Sequence, residues 1–200
     1  MSARAVVFDI GGVLVDWKPH LAWMDTFDSR AAVEAFMDRV AFKERNARAD
    51  GGARFSDLAA EVDDPQDRKY LSEYVARFTR TVQDRIEGTW DLLDRLRDRG
   101  VETHAITNWS AETWPEGLRA QPRLADVFGV TVVSGQLGIM KPDAQIFHTL
   151  CDRAGLSADA CVFIDDGMHN VKGAMAAGMD GIHFTGASAL ESDLRDRGVL

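Results

Sequence analysis

Three short apolar runs in the chain stop at polar side chains. Asp9 follows Ala5-Val6-Val7-Phe8, Thr107-Asn108 follows the run from Val101 to Ile106, and Asp165-Asp166 follows Cys161-Val162-Phe163-Ile164. Lys141 stands in a Gly-Ile-Met-Lys-Pro loop just before Asp143. Brought together, these residues supply three carboxylates, one ammonium, one hydroxyl and one amide. Three clustered carboxylates repel one another and stay ionised only with a cation among them. An oxygen-rich site with few protein ligands suits Mg²⁺, which keeps waters and coordinates phosphate oxygens. In such a site an Asp carboxylate can attack phosphorus and split hydrolysis into two steps through an aspartyl-phosphate. The cation and Lys141 would spread the charge of the transferring phosphoryl group. The Thr107 hydroxyl and nearby backbone N–H groups would hold its oxygens.

That convergence requires a parallel sheet, because only there do all C-terminal strand ends share one edge. The apolar runs fit this requirement. Ala5–Phe8, 101–106, 130–133, 161–164 and the weaker 181–184 are short and nearly continuously apolar, as strands covered on both faces are. Helical patterns alternate with them. Thr89 is placed as the N-cap of a helix with Leu92, Leu93 and Leu96 on one face and Gly100 as its stop. Asp143 caps a helix that buries Ile146, Phe147 and Leu150. Helices are also expected over 170–177, ended by Gly178, and over 188–197. The expected fold is therefore α/β, a Rossmann-like parallel sheet with right-handed crossovers. Residues 18 to 86 break the alternation. Helices are expected there over 31–42 and 67–85, with a loop over 46–64 that holds a short helix at 55–62. The expected organisation is a core of 1–17 and 87–200 with 18–86 as a helical cap, leaving the sheet at a strand's C-terminal end, where open α/β sheets bind ligands.

The chain has 200 residues, 46% hydrophobic and 28% charged, which is ordinary globular composition. Its net charge of −9 offers no electrostatic footprint for nucleic acid or anionic membrane. No apolar run approaches the ~20 residues of a membrane span, and residues 1–4 lead into the first strand without a signal-peptide pattern. Cys151 and Cys161 form neither a CxxC pair nor a zinc framework and read as packing residues. A cytoplasmic chain is expected, acting on a small phosphorylated molecule without nucleic-acid or membrane partners, as monomer or homodimer.

The four polar points, in their order, resemble the four motifs of the haloacid dehalogenase-like hydrolase superfamily. Phe8-Asp9-Ile10-Gly11-Gly12-Val13-Leu14-Val15-Asp16 is similar to the first, Ile106-Thr107-Asn108-Trp109-Ser110 to the second, Lys141-Pro142-Asp143 to the third, and Phe163-Ile164-Asp165-Asp166 with Asn170 to the fourth. The resemblance covers nearly the whole chain, with residues 18–86 at the place of the family's helical cap. It implies Asp9 as nucleophile, Thr107 as the phosphate-binding hydroxyl and Lys141 as the charge-neutralising ammonium. Asn108, Gly12 and Lys141 would join Thr107 in binding substrate. Asp9, the Gly11 carbonyl, Asp166 and Asp165 would hold Mg²⁺. The implied activity is hydrolysis of small phosphomonoesters, sugar phosphates among them.

Gly11 departs from the pattern. Most family phosphatases carry a second Asp there, which protonates the leaving group and later activates water. General acid–base help of this kind is typically worth ~10²–10⁴-fold. Three readings stay open: Glu44, Asp16, His20 or Asp50 substitutes; the substrate has a good leaving group and needs no acid; or turnover is slow or lost, leaving a non-catalytic phosphate-binding module. A metal-independent 2-haloacid dehalogenase is the other enzymatic alternative. The namesake dehalogenases resemble one another in having Tyr where Gly11 stands and Ser/Asn-rich residues where Asp165-Asp166 stand, so the paired carboxylates favour metal and phosphate. The five histidines show no ligand spacing, and only His20 and His169 fall near the expected site. Trp17 and Trp109 follow motif positions and read equally as packing or as pocket walls.

Overall fold

The computed structural model describes residues 5–200; the first four residues of the expected core segment lie outside it. Among the described residues, five parallel strands form one sheet in the order β3-β2-β1-β4-β5: β1 Ala5–Phe8, β2 Thr103–Thr107, β3 Thr131–Val133, β4 Cys161–Asp165 and β5 Asp180–His183. The expected α/β class and the Rossmann-like sheet are present. The central strand β1 pairs with β2 on one side and β4 on the other, with Phe8 level with Ala105 and Ile164. Strand alternation sends Val6, Phe8, Val162 and Ile164 to one face and Ala5, Val7, Ile106 and Phe163 to the other.

Between β1 and β2 the chain forms α1 Arg30–Arg39, α2 Phe42–Asp50, α3 Phe55–Ala60, α4 Pro65–Ser72, α5 Tyr74–Arg77 and α6 Glu87–Asp98. The remaining helices are α7 Trp114–Ala120, α8 Ser134–Leu137, α9 Ala144–Ala154, α10 Met168–Ala176 and α11 Ala187–Asp196. Leu92, Leu93 and Leu96 of α6, with Leu190 and Leu194 of α11, cover the first face of the sheet. Ile146, Phe147 and Leu150 of α9, with Ala174 of α10, cover the second. Asp143 caps α9 as expected, accepting from the Gln145 N–H at 2.8 Å. Thr89 does not cap α6. The helix begins two residues earlier, and the Thr89 N–H already donates to the Ile86 carbonyl at 2.9 Å.

The insertion after β1 is helical, but its pieces differ from those expected. The run over 31–42 stops at Arg39, Ala41 takes a left-handed φ of 43°, and Phe42 opens α2. Residues 46–50, expected as loop, are the second half of α2, because Lys43, Glu44 and Arg45 before them and Ala47, Arg48 and Ala49 within them are strong helix formers even without an apolar stripe. The run over 67–85 breaks into α4, α5 and a 3₁₀ turn at Phe78–Thr81. Local side-chain bonds accompany those breaks: Ser72 Oγ donates to the Lys69 carbonyl and Thr81 Oγ1 to the Phe78 carbonyl. Arg39 and Asp67 join α1 to α4 through two bonds at 2.9 and 3.0 Å. An aromatic cluster of Trp23, Phe36, Phe42, Tyr70 and Tyr74 fills the helical segment and continues through Phe78 to Trp109 beside the sheet. Among the described residues no helix is long and apolar enough to cross a membrane.

Candidate active site

The sheet register sets the site. Asp9 continues β1, its N–H donating to the Ile164 carbonyl at 2.8 Å, which puts it level with the start of the Asp165-Asp166 pair. On the other side, Thr107 ends β2 one position beyond Ile106. Lys141 enters from the loop before α9 and reaches both neighbours: its Nζ lies 2.9 Å from Asp9 Oδ1 and 2.7 Å from Asp165 Oδ2. It also donates to the Ile106 carbonyl at 3.1 Å. All three ammonium protons therefore have partners, as a fully buried cation requires. Asn108 fixes the approach of the lysine. Its Oδ1 accepts from the Lys141 N–H at 2.9 Å, and its Nδ2 donates to the Lys141 carbonyl at 3.0 Å.

The two adjacent carboxylates have different surroundings. Asp165 is closed off from solvent, with Oδ1 accepting from the Gly167 N–H at 2.7 Å and from Asn170 Nδ2 at 3.0 Å. Asp166 is exposed and lines a cavity of about 410 Å³ at the strand ends. Asp9, Gly11, Gly12, Thr107 and Asn108 line the same cavity. Oxygens of Asp9, Asp165 and Asp166 all lie within 4.8 Å of one another. Gly12, at φ +76°, makes room for that gathering: a Cβ there would stand 2.4 Å from Asp166 Oδ2. Burial pushes the Asp9 carboxyl up to about 7, with Lys141 opposing the shift and Asp165 adding to it. Burial works to lower Lys141, but Asp9 and Asp165 outweigh it and hold the ammonium above its usual value. Partial burial and the charge of Asp165 raise Asp166. Three carboxylates against one ammonium leave an excess of negative charge in an all-oxygen donor set, which fits a hard divalent cation.

Of the four side chains expected as possible replacements for a carboxylate at position 11, Asp16 and Asp50 line the cavity. Glu44 is exposed on α2, and His20 lines an adjoining groove that shares Asp16 and Trp17 with this cavity; neither side chain is in the cavity lining. His169 is exposed near Gly167 and is also outside it. Trp17 and Trp109 both wall the cavity, and Trp109 packs on Phe78 and Trp114 as well. Sequence reasoning missed Asn46, Phe78 and Thr113. Asn46 had a signal in its i,i+4 spacing to Asp50, to whose Oδ2 it donates at 2.9 Å, but that signal needs α2 to be recognised as a helix.

Related proteins are found by sequence and by shape. A sesquiterpene phosphatase of Aspergillus oryzae is 28% identical over 196 residues, spanning 96% of this chain and 95% of its own. A phosphoglycolate phosphatase of Pseudomonas putida is 27% identical over 91% of this chain and 69% of its own. A HAD family enzyme of Bacteroides thetaiotaomicron, solved with magnesium and inorganic phosphate, superposes with a TM-score of 0.66 at 19% identity, covering 90% of this chain and 93% of that one. Residues 3–178 match the family described as haloacid dehalogenase-like hydrolase, and the chain belongs to that family of hydrolases.

Proposed function

We propose that the chain is a Mg²⁺-dependent phosphatase of small phosphomonoesters, sugar phosphates among them, that works through an aspartyl-phosphate on Asp9. The observation that carries this reading is the Asp9 carboxylate on the cavity wall, bonded to Lys141 at 2.9 Å and gathered with Asp165 and Asp166. Asp9, Asp165, Asp166 and the Gly11 carbonyl would hold Mg²⁺. The cation, when bound, neutralises phosphoryl charge and keeps the nucleophile ionised.

Asp9 Oδ2, the oxygen not bonded to Lys141, attacks phosphorus in line. Lys141, with Thr107, Asn108 and the backbone at Gly12, takes up charge on the phosphoryl oxygens. Water then cleaves the phospho-Asp9 bond. Residues 18–86 act as the cap over a core of 1–17 and 87–200, excluding water and reading the leaving group through Asn46 and Phe78 beside Trp17 of the core. The phosphatase names of the two relatives support the reaction class. The Asp165-Asp166 pair weighs against metal-free dehalogenation, because an unneutralised pair would repel a haloacid's own carboxylate.

Hydrolysis of p-nitrophenyl phosphate by the purified protein tests the proposal, with Mg²⁺, with excess chelator, and beside Asp9→Asn. Turnover that requires metal and is lost in the variant is expected. Metal-independent turnover, or an active Asp9→Asn, would overturn it. A chain that binds phosphate mimics but releases no product would be the non-catalytic module instead.

A further inference from the structure

The motif position that carries a carboxylate in most family phosphatases is a glycine here, and the space beside it is open: a Cβ on Gly11 would meet nothing within 4 Å. A proton donor for the leaving group must therefore reach the cavity from another element. Two other carboxylates outside the Asp9, Asp165 and Asp166 cluster line the cavity, Asp16 and Asp50. Asp16 is half exposed and lies 3.0 Å from the Lys18 ammonium, which itself bridges to Asp84.

Asp50 is placed differently. It is the last residue of α2, with partners on the core and within its own helix. Ser134 Oγ donates to its carbonyl at 2.6 Å. The Ser110 backbone, just after β2, lies near its carboxylate and favours the charged form. Asn46, one helical turn earlier, donates to Oδ2 at 2.9 Å. Gly52, at φ +102°, takes the left-handed backbone with which the chain leaves this corner. The carboxylate is thus fixed to the wall it shares with Asp9, Thr107 and the empty side of Gly11.

Resting on the phosphatase reading, we infer that Asp50, supplied by the helical insertion, is the general acid and base that the first motif lacks. In the first step the Asp9–P bond forms and the P–O bond to the leaving group breaks. The leaving oxygen takes the Asp50 proton and departs as an alcohol. In the second step Asp50 takes a proton from water as the water oxygen bonds to phosphorus, and the Asp9–P bond breaks. Inorganic phosphate leaves, and Asp9 and protonated Asp50 are restored. The environment suits both roles. Burial pushes the Asp50 carboxyl up to about 7, with the Ser110 backbone opposing, Asp9 adding and Lys141 opposing. Tyr74 also faces it electrostatically, as a neutral phenol that burial keeps protonated. Both forms of Asp50 are then present near neutral pH.

The test compares kcat/KM of wild type and Asp50→Asn on two substrates, p-nitrophenyl phosphate, whose leaving group needs no proton, and a hexose 6-phosphate, whose alkoxide does. The carboxamide retains an oxygen to accept from Asn46 Nδ2. The expected loss on the hexose phosphate is ~10²-fold or more, at least tenfold larger than the loss on p-nitrophenyl phosphate. Adding Gly11→Asp to Asp50→Asn should narrow that gap. In the wild type, which avoids any folding defect of the variant, kcat/KM for the hexose phosphate relative to p-nitrophenyl phosphate should fall above pH about 7. Equal losses on both substrates, or a substrate ratio that does not change with pH, would remove Asp50 from proton transfer. Asp9→Asn separates the two proposals. If it abolishes turnover while Asp50→Asn does not discriminate between substrates, only the role of Asp50 falls. If the wild type turns over neither substrate, the phosphatase reading falls and takes this role with it.

Discussion

The ammonium of Lys141 meets the carboxylate of Asp165 at 2.7 Å, with both side chains closed off from solvent. A buried pair of this kind is costly to break from one side, because the remaining charge has neither water nor partner. Losing one member typically costs ~3–5 kcal/mol. Lys141→Met should therefore lose activity and also lose that order of stability in urea denaturation. Lys141→Met combined with Asp165→Asn should recover much of the stability and none of the activity, since the neutral amide no longer needs the ammonium. A loss below ~1 kcal/mol in the single variant, the range of exposed pairs, would mean that water reaches Asp165.

Gly12 sets the position of the second carboxylate. Any Cβ there stands 2.4 Å from Asp166 Oδ2, so Gly12→Ala must displace the Asp166 carboxylate. The expected result is a Mg²⁺ concentration for half-maximal activity raised ~10–100-fold, the range seen when groups that orient metal ligands are lost. The positive φ adds its own strain of ~1–2 kcal/mol. Gly155→Ala measures that strain alone, because Gly155 has φ +68° and nothing within 4 Å of a Cβ. Its melting temperature should fall while its Mg²⁺ dependence stays that of the wild type. An unchanged Mg²⁺ dependence in Gly12→Ala would take Asp166 out of the metal site.

The sequence and the fold agree where one local pattern decides the outcome. Val6, Phe8, Val162 and Ile164 are apolar on both neighbours' terms, so the strands and their parallel edge can be read directly, and with them the meeting of Asp9, Thr107 and Asp165. The helical insertion is less legible. Residues 46–50 carry Asn, Arg and Asp with a single buried Ala49, so no apolar period marks them as helix. Their helicity comes from propensity and from docking on Ser134, a contact between residues 84 apart. For the same reason Asp50 stood as one of four equal choices in the sequence. Which of them faces Asp9 depends on how the insertion packs, and no local pattern encodes that.

His104 lies on β2 with about 4% of its surface exposed, and its Nδ1 accepts from the Val130 N–H at 3.0 Å. Burial holds its pKa below the usual value, with Glu102 opposing. Between the lowered folded value and the unfolded value near 6.5, the unfolded chain binds the proton and the native chain does not. Stability must then rise with pH through that window and fall as pH drops below about 6.5. His104→Asn, whose amide oxygen can accept from Val130, should lose less of its denaturation midpoint than wild type between pH 7.5 and 5.5. Equal losses in the two proteins would show that the ring is protonated in the native state without penalty.

The charge of the cavity bears on which leaving groups it admits. Its lining among the described residues holds Asp9, Asp16, Asp50 and Asp166 but no Lys, Arg or His, and Trp17, Phe78 and Trp109 supply apolar faces. Lys141 lies below, engaged by Asp9 and Asp165. The phosphoryl group has its own cationic provision there, but a second anionic group on the leaving side would face Asp16, and Asp50 whenever it is ionised, with no cation in the lining. Each ~1.4 kcal/mol of such repulsion is a tenfold loss, and like charges a few ångströms apart near a surface readily supply that. Phosphomonoesters with uncharged leaving groups, such as hexose phosphates, should therefore exceed phosphoglycolate in kcat/KM by ~10-fold or more. Asp16→Asn should narrow the ratio by removing one of the repelling charges, and added salt should narrow it in the wild type, because Asp16 is open to solvent and screening reaches it. Phosphoglycolate turned over as well as a hexose phosphate, with no response to Asp16→Asn or to salt, would mean that the leaving group does not occupy this cavity.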